Sequence, residues 1–176
     1  GLVLGFSILN SCRPKDVENM AVREMPKEWF DINAYLKIGD NGLVTIMSPN
    51  PEFGQGVITS MPMIVADELD IDWEDVIVEQ ANLNAEDFGW QFTGGSQGIR
   101  RRWQGLRMAG ATAKQMLKEA AANSWQLPVS EITVSKGILS HLASGKSAGY
   151  GEMASLAAEL EVPEEVPLKE IKDFTI

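Results

Sequence analysis

The sequence predicts an α/β domain, a mixed β-sheet with helices packed against it. Three observations carry that expectation. Two β-rich runs flank Gly39-Asp40-Asn41-Gly42, two later stretches repeat apolar residues at helical spacing, and a short β-branched run, Val76 to Val78, separates those stretches. Strands joined by crossover helices bury their apolar faces by layering helices on a sheet. The 176 residues suffice for one sizeable core, and 44% hydrophobic with 23% charged residues is an ordinary globular balance.

Residues 1–29 read as an export-signal remnant and linker. The stretch 2–9 (LVLGFSIL) is apolar but far too short to span a bilayer. It resembles the end of a signal's apolar region, and Leu9-Asn10-Ser11-Cys12 resembles a lipoprotein cleavage box with Cys12 as lipid acceptor. A trimmed strand or tail is the bland alternative. The expected location is the periplasm or cell envelope, with the cytoplasm as the alternative.

The main domain is placed at 30–161. Residues 35–38 and 43–47 form a hairpin, because Asn and Gly tolerate the positive φ of its turn. A Pro- and Gly-containing loop, 48–56, leads to Ile58, Met61, Ile64, Val65 and Leu69, a helix over 57–69. An acidic turn precedes the strand at 76–78. Ile99, Trp103, Leu106, Gly110, Ala113, Leu117 and Ala121 then trace one stripe of a long helix over 96–123. Gly105, Ala109, Gly110, Ala111 and Ala113 thin its sides, so it should pack closely on the sheet. A second hairpin is expected from 132–134 and 138–141, and a short helix over 152–160. Residues 162–176, with two prolines and alternating charge, read as a linker toward a further domain.

Fifteen basic against 25 acidic residues give a net charge of −10, which argues against a nucleic-acid binder needing a basic face. One cysteine excludes an internal disulfide framework or a cysteine-ligated cluster, and one histidine argues against zinc. Any redox centre must therefore be a bound organic or metallo-organic cofactor.

Two constellations carry chemistry. In Glu52-Phe53-Gly54-Gln55-Gly56 the glycines allow close backbone approach, and the helix behind offers N–H groups and a positive dipole end to an oxo group or anion. Gln55 carries an amide that donates and accepts without ionising. Thr93-Gly94-Gly95-Ser96-Gln97-Gly98 opens the long helix with the chemistry of a phosphate cradle. Taken singly, the first is an ordinary glycine-bounded turn and the second an ordinary helix cap. Arg100, Arg101 and Arg102 oppose the helix dipole unless an anion or acidic partner sits there. Together, two such helix starts suit one elongated polyanion, such as a pterin cofactor in dinucleotide form.

The stretches PEFGQGVITSMPMIVADELDIDWEDVIVEQA, QFTGGSQGIRRRWQGLRMAGATAKQML and GYGEMA resemble the amino-terminal part of molybdenum hydroxylase large subunits. The xanthine dehydrogenase and aldehyde oxidase family is meant, in its isoquinoline 1-oxidoreductase β-subunit branch. Order and spacing agree from about residue 30 to the end, with Phe53 standing where methionine is commoner. The resemblance implies that Gln55, between Gly54 and Gly56, faces a molybdenum oxo group. It implies that Gly94, Gly95 and Ser96, with Thr93 and Gln97 less securely, hold the dinucleotide or phosphate part of molybdopterin cytosine dinucleotide. It further implies a 2Fe–2S partner subunit, an aldehyde or N-heterocycle as substrate with oxygen drawn from water, and a catalytic glutamate outside this chain.

A non-catalytic interaction or scaffold domain is the rival reading. A generic nucleotide-binding domain ranks below it, because neither a Lys-Ser/Thr phosphate loop nor a strand-linked GxGxxG is present. Glu52, Asp67, Glu68 and Asp87 read as solvated or capping carboxylates, His141 as a surface or packing residue, and Trp103 and Trp125 as core.

Overall fold

The computed structural model describes residues 23–175; the apolar stretch 2–9 and Cys12 lie outside the described residues. Strands β1 (Trp29–Asn33), β2 (Leu36–Gly39) and β3 (Val44–Ser48) run antiparallel in sequence. Helix α1 (Val57–Leu69) then crosses to β4 (Val76–Gln80), which pairs parallel with β3 in the order β1-β2-β3-β4. Three strands antiparallel and one parallel make this sheet mixed, as expected. Ile32, Leu36, Ile38, Val44 and Ile46 are buried and begin the core.

After the short turn of helix α2 (Ala85–Phe88) comes α3 (Gly98–Trp125), 28 residues long. Strands β5 (Thr133–Ser135), β6 (Ile138–His141) and β7 (Lys146–Gly149) form a separate antiparallel sheet, and α4 (Tyr150–Ala158) follows. Two sheets therefore stand where one was expected, and the second contains a strand, β7, beyond the hairpin read from sequence.

The thin side of α3 faces another helix rather than the sheet, with α1 and α4 as its main neighbours. A methyl on Gly110 would lie 2.3 Å from the Val65 carbonyl oxygen, so this glycine sets the distance between α1 and α3. Asn33 Nδ2 joins the first sheet to α3, donating to the Ala109 carbonyl oxygen at 2.9 Å and to Thr112 Oγ1 at 3.5 Å. Helix α4 closes the core, with Tyr150 buried and its hydroxyl donating to the Leu69 carbonyl oxygen at 2.5 Å.

The 169–175 segment lies against α1 and α3. Lys169 Nζ reaches Asp70 Oδ1 at 2.6 Å and Asp67 Oδ1 at 3.0 Å, while Thr175 Oγ1 donates to Asp67 Oδ1 at 2.9 Å. Asp67 and Glu68 are consequently buried and paired rather than solvated, Glu68 lying 2.6 Å from Arg107 Nε. Burial works against the charge on Asp67, yet the bonds from Lys169 and Thr175 outweigh it and hold the carboxyl below its usual range. His141 is a packing residue, buried between Ser144 (2.7 Å from Nδ1) and Glu131 (2.8 Å from Nε2).

Candidate functional site

Both glycine-bounded loops sit at the same end of the fold. The 51–56 loop carries β3 into α1, and residues 89–97 carry α2 into α3. The Pro51 carbonyl oxygen joins them, accepting from Gln55 Nε2 at 2.9 Å and from Thr93 Oγ1 at 2.8 Å. Between them lies a cleft of about 400 Å³ whose walls are Phe53, Gln55, Val57 and residues 93–99. Of the residues singled out from sequence, Gln55, Thr93, Gly94, Gly95, Ser96 and Gln97 line this cleft, and Gly54 and Gly56 do not.

The start of α1 differs from its expected form. Glu52 occupies it, taking the Ile58 N–H of the helix together with two N–H groups of the loop that leads in. Glu52 Oε1 accepts from Gly54 N at 2.6 Å and Gly56 N at 3.0 Å, and Oε2 accepts from Ile58 N at 2.9 Å. These backbone donors, that of Ile58 foremost, pull the Glu52 carboxyl down from 4.5 to about 2. Gly54 at φ 106° and Gly56 at φ 84° supply the left-handed turns that let one carboxylate reach three amides. Gln55 is likewise engaged within its own loop, since its Oε1 accepts from Phe53 N at 2.8 Å. Its amide must release these partners before it can address a ligand.

The start of α3 is open. Gly95 (φ 61°) and Ser96 (φ 55°) are consecutive left-handed residues, which turn the chain into the helix. The first bond into the helix runs from Arg101 N to the Gln97 carbonyl oxygen, and Gln97 makes no side-chain cap bond to the helix backbone. The N–H groups of Gly98, Ile99 and Arg100 find no acceptor among the described residues. Three unpaired donors on a positive helix end, approached through glycine, form an anion cradle.

The arginine run does not serve this cradle as the sequence suggested. Arg102 turns back, donating from Nε to Asn50 Oδ1 at 3.0 Å, from Nη2 to the Trp90 carbonyl oxygen at 2.7 Å, and from Nη1 to the Phe88 carbonyl oxygen. Arg101 binds the Gln97 side chain and lies 5.0 Å over the Trp90 ring. Arg107 pairs with Glu68, leaving Arg100 as the exposed cation without a partner among those described. Two of the three cations are thus struts of the loop. Two of their four hydrogen bonds go to backbone carbonyls, which no residue spacing advertises.

The loop has an aromatic backing that sequence reading missed. Trp90 and Phe92 stack at 4.7 Å and 18°, and Asn50 Nδ2 donates to the Phe92 carbonyl oxygen at 2.6 Å. A methyl on Gly94 would meet the Phe92 ring at 2.5 Å, so Gly94 is small because the ring lies against it. Arg101, Trp90, Phe92 and Gly94 form one stack that fixes the cradle's wall.

An open helix start, an apolar-rimmed cleft and a second glycine loop are what an elongated anionic cofactor requires. Among known proteins, the molybdopterin cofactor-binding domain family matches residues 16–175 of this chain. The chain belongs to that family. Isoquinoline 1-oxidoreductase subunit beta of Brevundimonas diminuta is 38% identical over 141 residues, which make 77% of this chain and 18% of that protein. The membrane-bound aldehyde dehydrogenase (pyrroloquinoline-quinone) of Gluconacetobacter polyoxogenes is 28% identical, over 88% of this chain and 19% of that protein. The chain thus spans less than a fifth of the length of these relatives. Quinoline 2-oxidoreductase from Pseudomonas putida 86 shares the fold, with a TM-score of 0.53 at 20% identity over 71% of this chain and 16% of that one.

Proposed function

We propose that this chain is the amino-terminal, cofactor-holding part of a molybdenum hydroxylase large subunit that oxidises aldehydes or N-heterocycles with oxygen from water. The single observation that carries the reading is the pairing of an open α3 start with the Gln55 loop across one cleft, in a chain of the molybdopterin cofactor-binding family. The N–H groups of Gly98, Ile99 and Arg100, with the Ser96 hydroxyl, hold the anionic pyrophosphate of molybdopterin cytosine dinucleotide. Glycine at 94 and 95 lets that group approach the backbone. Gln55, once its amide leaves Pro51 and Phe53, turns to the metal end. The bound cofactor supplies a centre that accepts two electrons from the substrate. In this reading the metal arrives on the pterin; among the described residues no cluster of His, Cys, Asp or Glu is placed to hold a bare metal ion. The proton-moving glutamate and the 2Fe–2S clusters belong to the rest of the assembly. By the resemblance of its amino-terminal stretch to an export signal, that assembly works in the periplasm or cell envelope. Among the described residues no helix is long and apolar enough to cross a membrane.

The test uses the whole enzyme carrying this chain, made in a host that synthesises the cofactor. Molybdenum, pterin and the CMP released by acid are each measured per protein, for the parent and for Ser96→Asp and Gly95→Asn. Asp and Asn tolerate the left-handed backbone at these positions, so the variants add charge or bulk rather than strain. Near-stoichiometric molybdenum and CMP in the parent, reduced in both variants at unchanged secondary structure, is the expected result. The deficit of Ser96→Asp should narrow in high salt, because exposed charges are screened. Unchanged occupancy in both variants would reduce residues 93–97 to a helix cap. The second reading, favoured by the name of the Gluconacetobacter relative, is a quinone enzyme; bound pyrroloquinoline quinone without molybdenum or pterin would establish it. A chain assembled with neither would be a scaffold domain.

A further inference from the structure

A second cleft, of about 300 Å³, opens beside the first on the other side of Ile99, which lines both. Its walls are Met63 and Ile64 from α1, Ile99 and Trp103 from α3, and Phe174 from the segment laid across the two helices. Trp103, expected in the core, is instead 37% exposed here, and its ring is tilted 58° to Phe174 at 6.0 Å. Rings at that angle leave a wedge between them rather than a filled stack.

The charges at the cleft floor are already consumed. Arg107 donates to Glu68 Oε1 at 2.6 Å and to the Lys169 carbonyl oxygen, and its guanidinium lies 4.9 Å from the Phe174 ring. Glu68 Oε2 accepts from Lys169 N at 3.1 Å, and Asp67 is held by Lys169 and Thr175. An ionised ligand would therefore find no free counter-charge and would be desolvated at a loss. The Ser60 hydroxyl is serviceable, donating to the Gly56 carbonyl oxygen at 2.9 Å and keeping its lone pairs for a donor. We infer that this cleft is a binding site for a neutral, planar aromatic molecule of one or two rings carrying a single N–H or O–H group. The volume is at the lower end for small-molecule sites, which suits a ligand of that size. The assignment is independent of the cofactor reading, since it uses none of the cradle's donors.

Indole is the probe. It is titrated into the whole enzyme carrying this chain, labelled with 5-fluorotryptophan, while the Trp103 fluorine resonance, assigned by its loss in Trp103→Phe, is followed. A saturable one-to-one shift of that resonance is expected. Trp103→Ala, followed by calorimetry, should weaken binding by about tenfold or more, the usual loss when an aromatic stacking partner is removed. Met63→Glu, at a half-exposed position that tolerates the change, should weaken it similarly by charging the wall, and indole-3-acetate should bind more weakly than indole. Gly95→Asn should leave indole binding unchanged, which separates this result from any failure of the cofactor cradle. Absence of saturable binding, binding equal in the parent, Trp103→Ala and Met63→Glu, or displacement of indole by self-association of the chain would each overturn the assignment.

Discussion

Adding one methyl group to α3 should have opposite effects at two glycines five residues apart. Gly105 is exposed and an added Cβ there meets nothing within 4 Å, whereas at Gly110 it would lie 2.3 Å from the Val65 carbonyl oxygen and 2.9 Å from Glu68 Cβ. Both substitutions to alanine gain helix propensity, about 0.8–1 kcal/mol each. At Gly105 nothing opposes the gain. At Gly110 the helices must part by about an ångström to restore an ordinary contact, and overpacking of this kind costs roughly 1–3 kcal/mol. The obstacle is a backbone carbonyl, which cannot rotate aside, so the upper part of that range applies and Gly110→Ala should be destabilised by about 1–2 kcal/mol net. The same movement would stretch the 2.6 Å Arg107–Glu68 pair that spans the two helices. Urea unfolding should show the midpoint rising for Gly105→Ala and falling for Gly110→Ala with the slope unchanged. The corresponding shifts in Tm are about 2–4 °C per kcal/mol for a chain of this size. A Gly110→Ala protein as stable as its parent would refute the close approach of α1 and α3.

Three further outcomes follow from buried and capping charges. Glu68→Ala should cost about 3–5 kcal/mol in unfolding experiments, because it strands the buried Arg107 guanidinium; the double variant Glu68→Leu with Arg107→Met should recover much of that loss. Glu52, lowered in the folded chain, contributes stability that is complete above its unfolded value near 4.5 and is lost as pH falls toward about 2. A carboxyl carbon resonance for Glu52 that titrates near 4.5 would contradict its three amide bonds. Asp67→Asn should loosen the 169–175 segment, read as faster amide exchange at Thr175 and greater proteolysis there, with α1 and α3 keeping their protection; equal protection in the variant would count against the Lys169 and Thr175 contacts.

Much of this architecture could be read from side-chain spacing. Helix α1 has its predicted bounds, and β4 begins at the predicted Val76. Helix α3 starts two residues later and ends two later than expected, because Gly95 and Ser96 turn left-handed before the helix begins. Strand β1 straddles the expected boundary between linker and domain, where the sequence predicts no strand. Of its residues Trp-Phe-Asp-Ile-Asn, Ile32 is buried and Phe30 packs partly against the core, and pairing with β2 holds the short run as a strand. Strand β7, Lys-Ser-Ala-Gly, has no branched apolar residue, and is held by its register against β6, Leu139 opposite Ala148. At the site, the proximity of the two loops was legible from their placement before successive helices. The filling of the α1 start was also written in the sequence, as an acid four residues before Gly56, though an acidic side chain ahead of a helix was read there as background. The roles of Asn50, Trp90, Phe92 and Arg102 depend on contacts with distant backbone groups and carry no local signature.

The self-sealed start of α1 gives the first cleft a direction. On one bank the helix dipole is already neutralised by Glu52, which presents net negative charge outward; on the other, the α3 dipole remains bare beside Arg100. A molecule with one anionic portion and one neutral portion crossing this gap has two possible orientations, and the field makes them unequal before any specific contact forms. The anionic portion is drawn to α3 and repelled from α1. Glu52 thus acts at a distance as a polariser of whatever enters, and its removal would let the same ligand lie either way round.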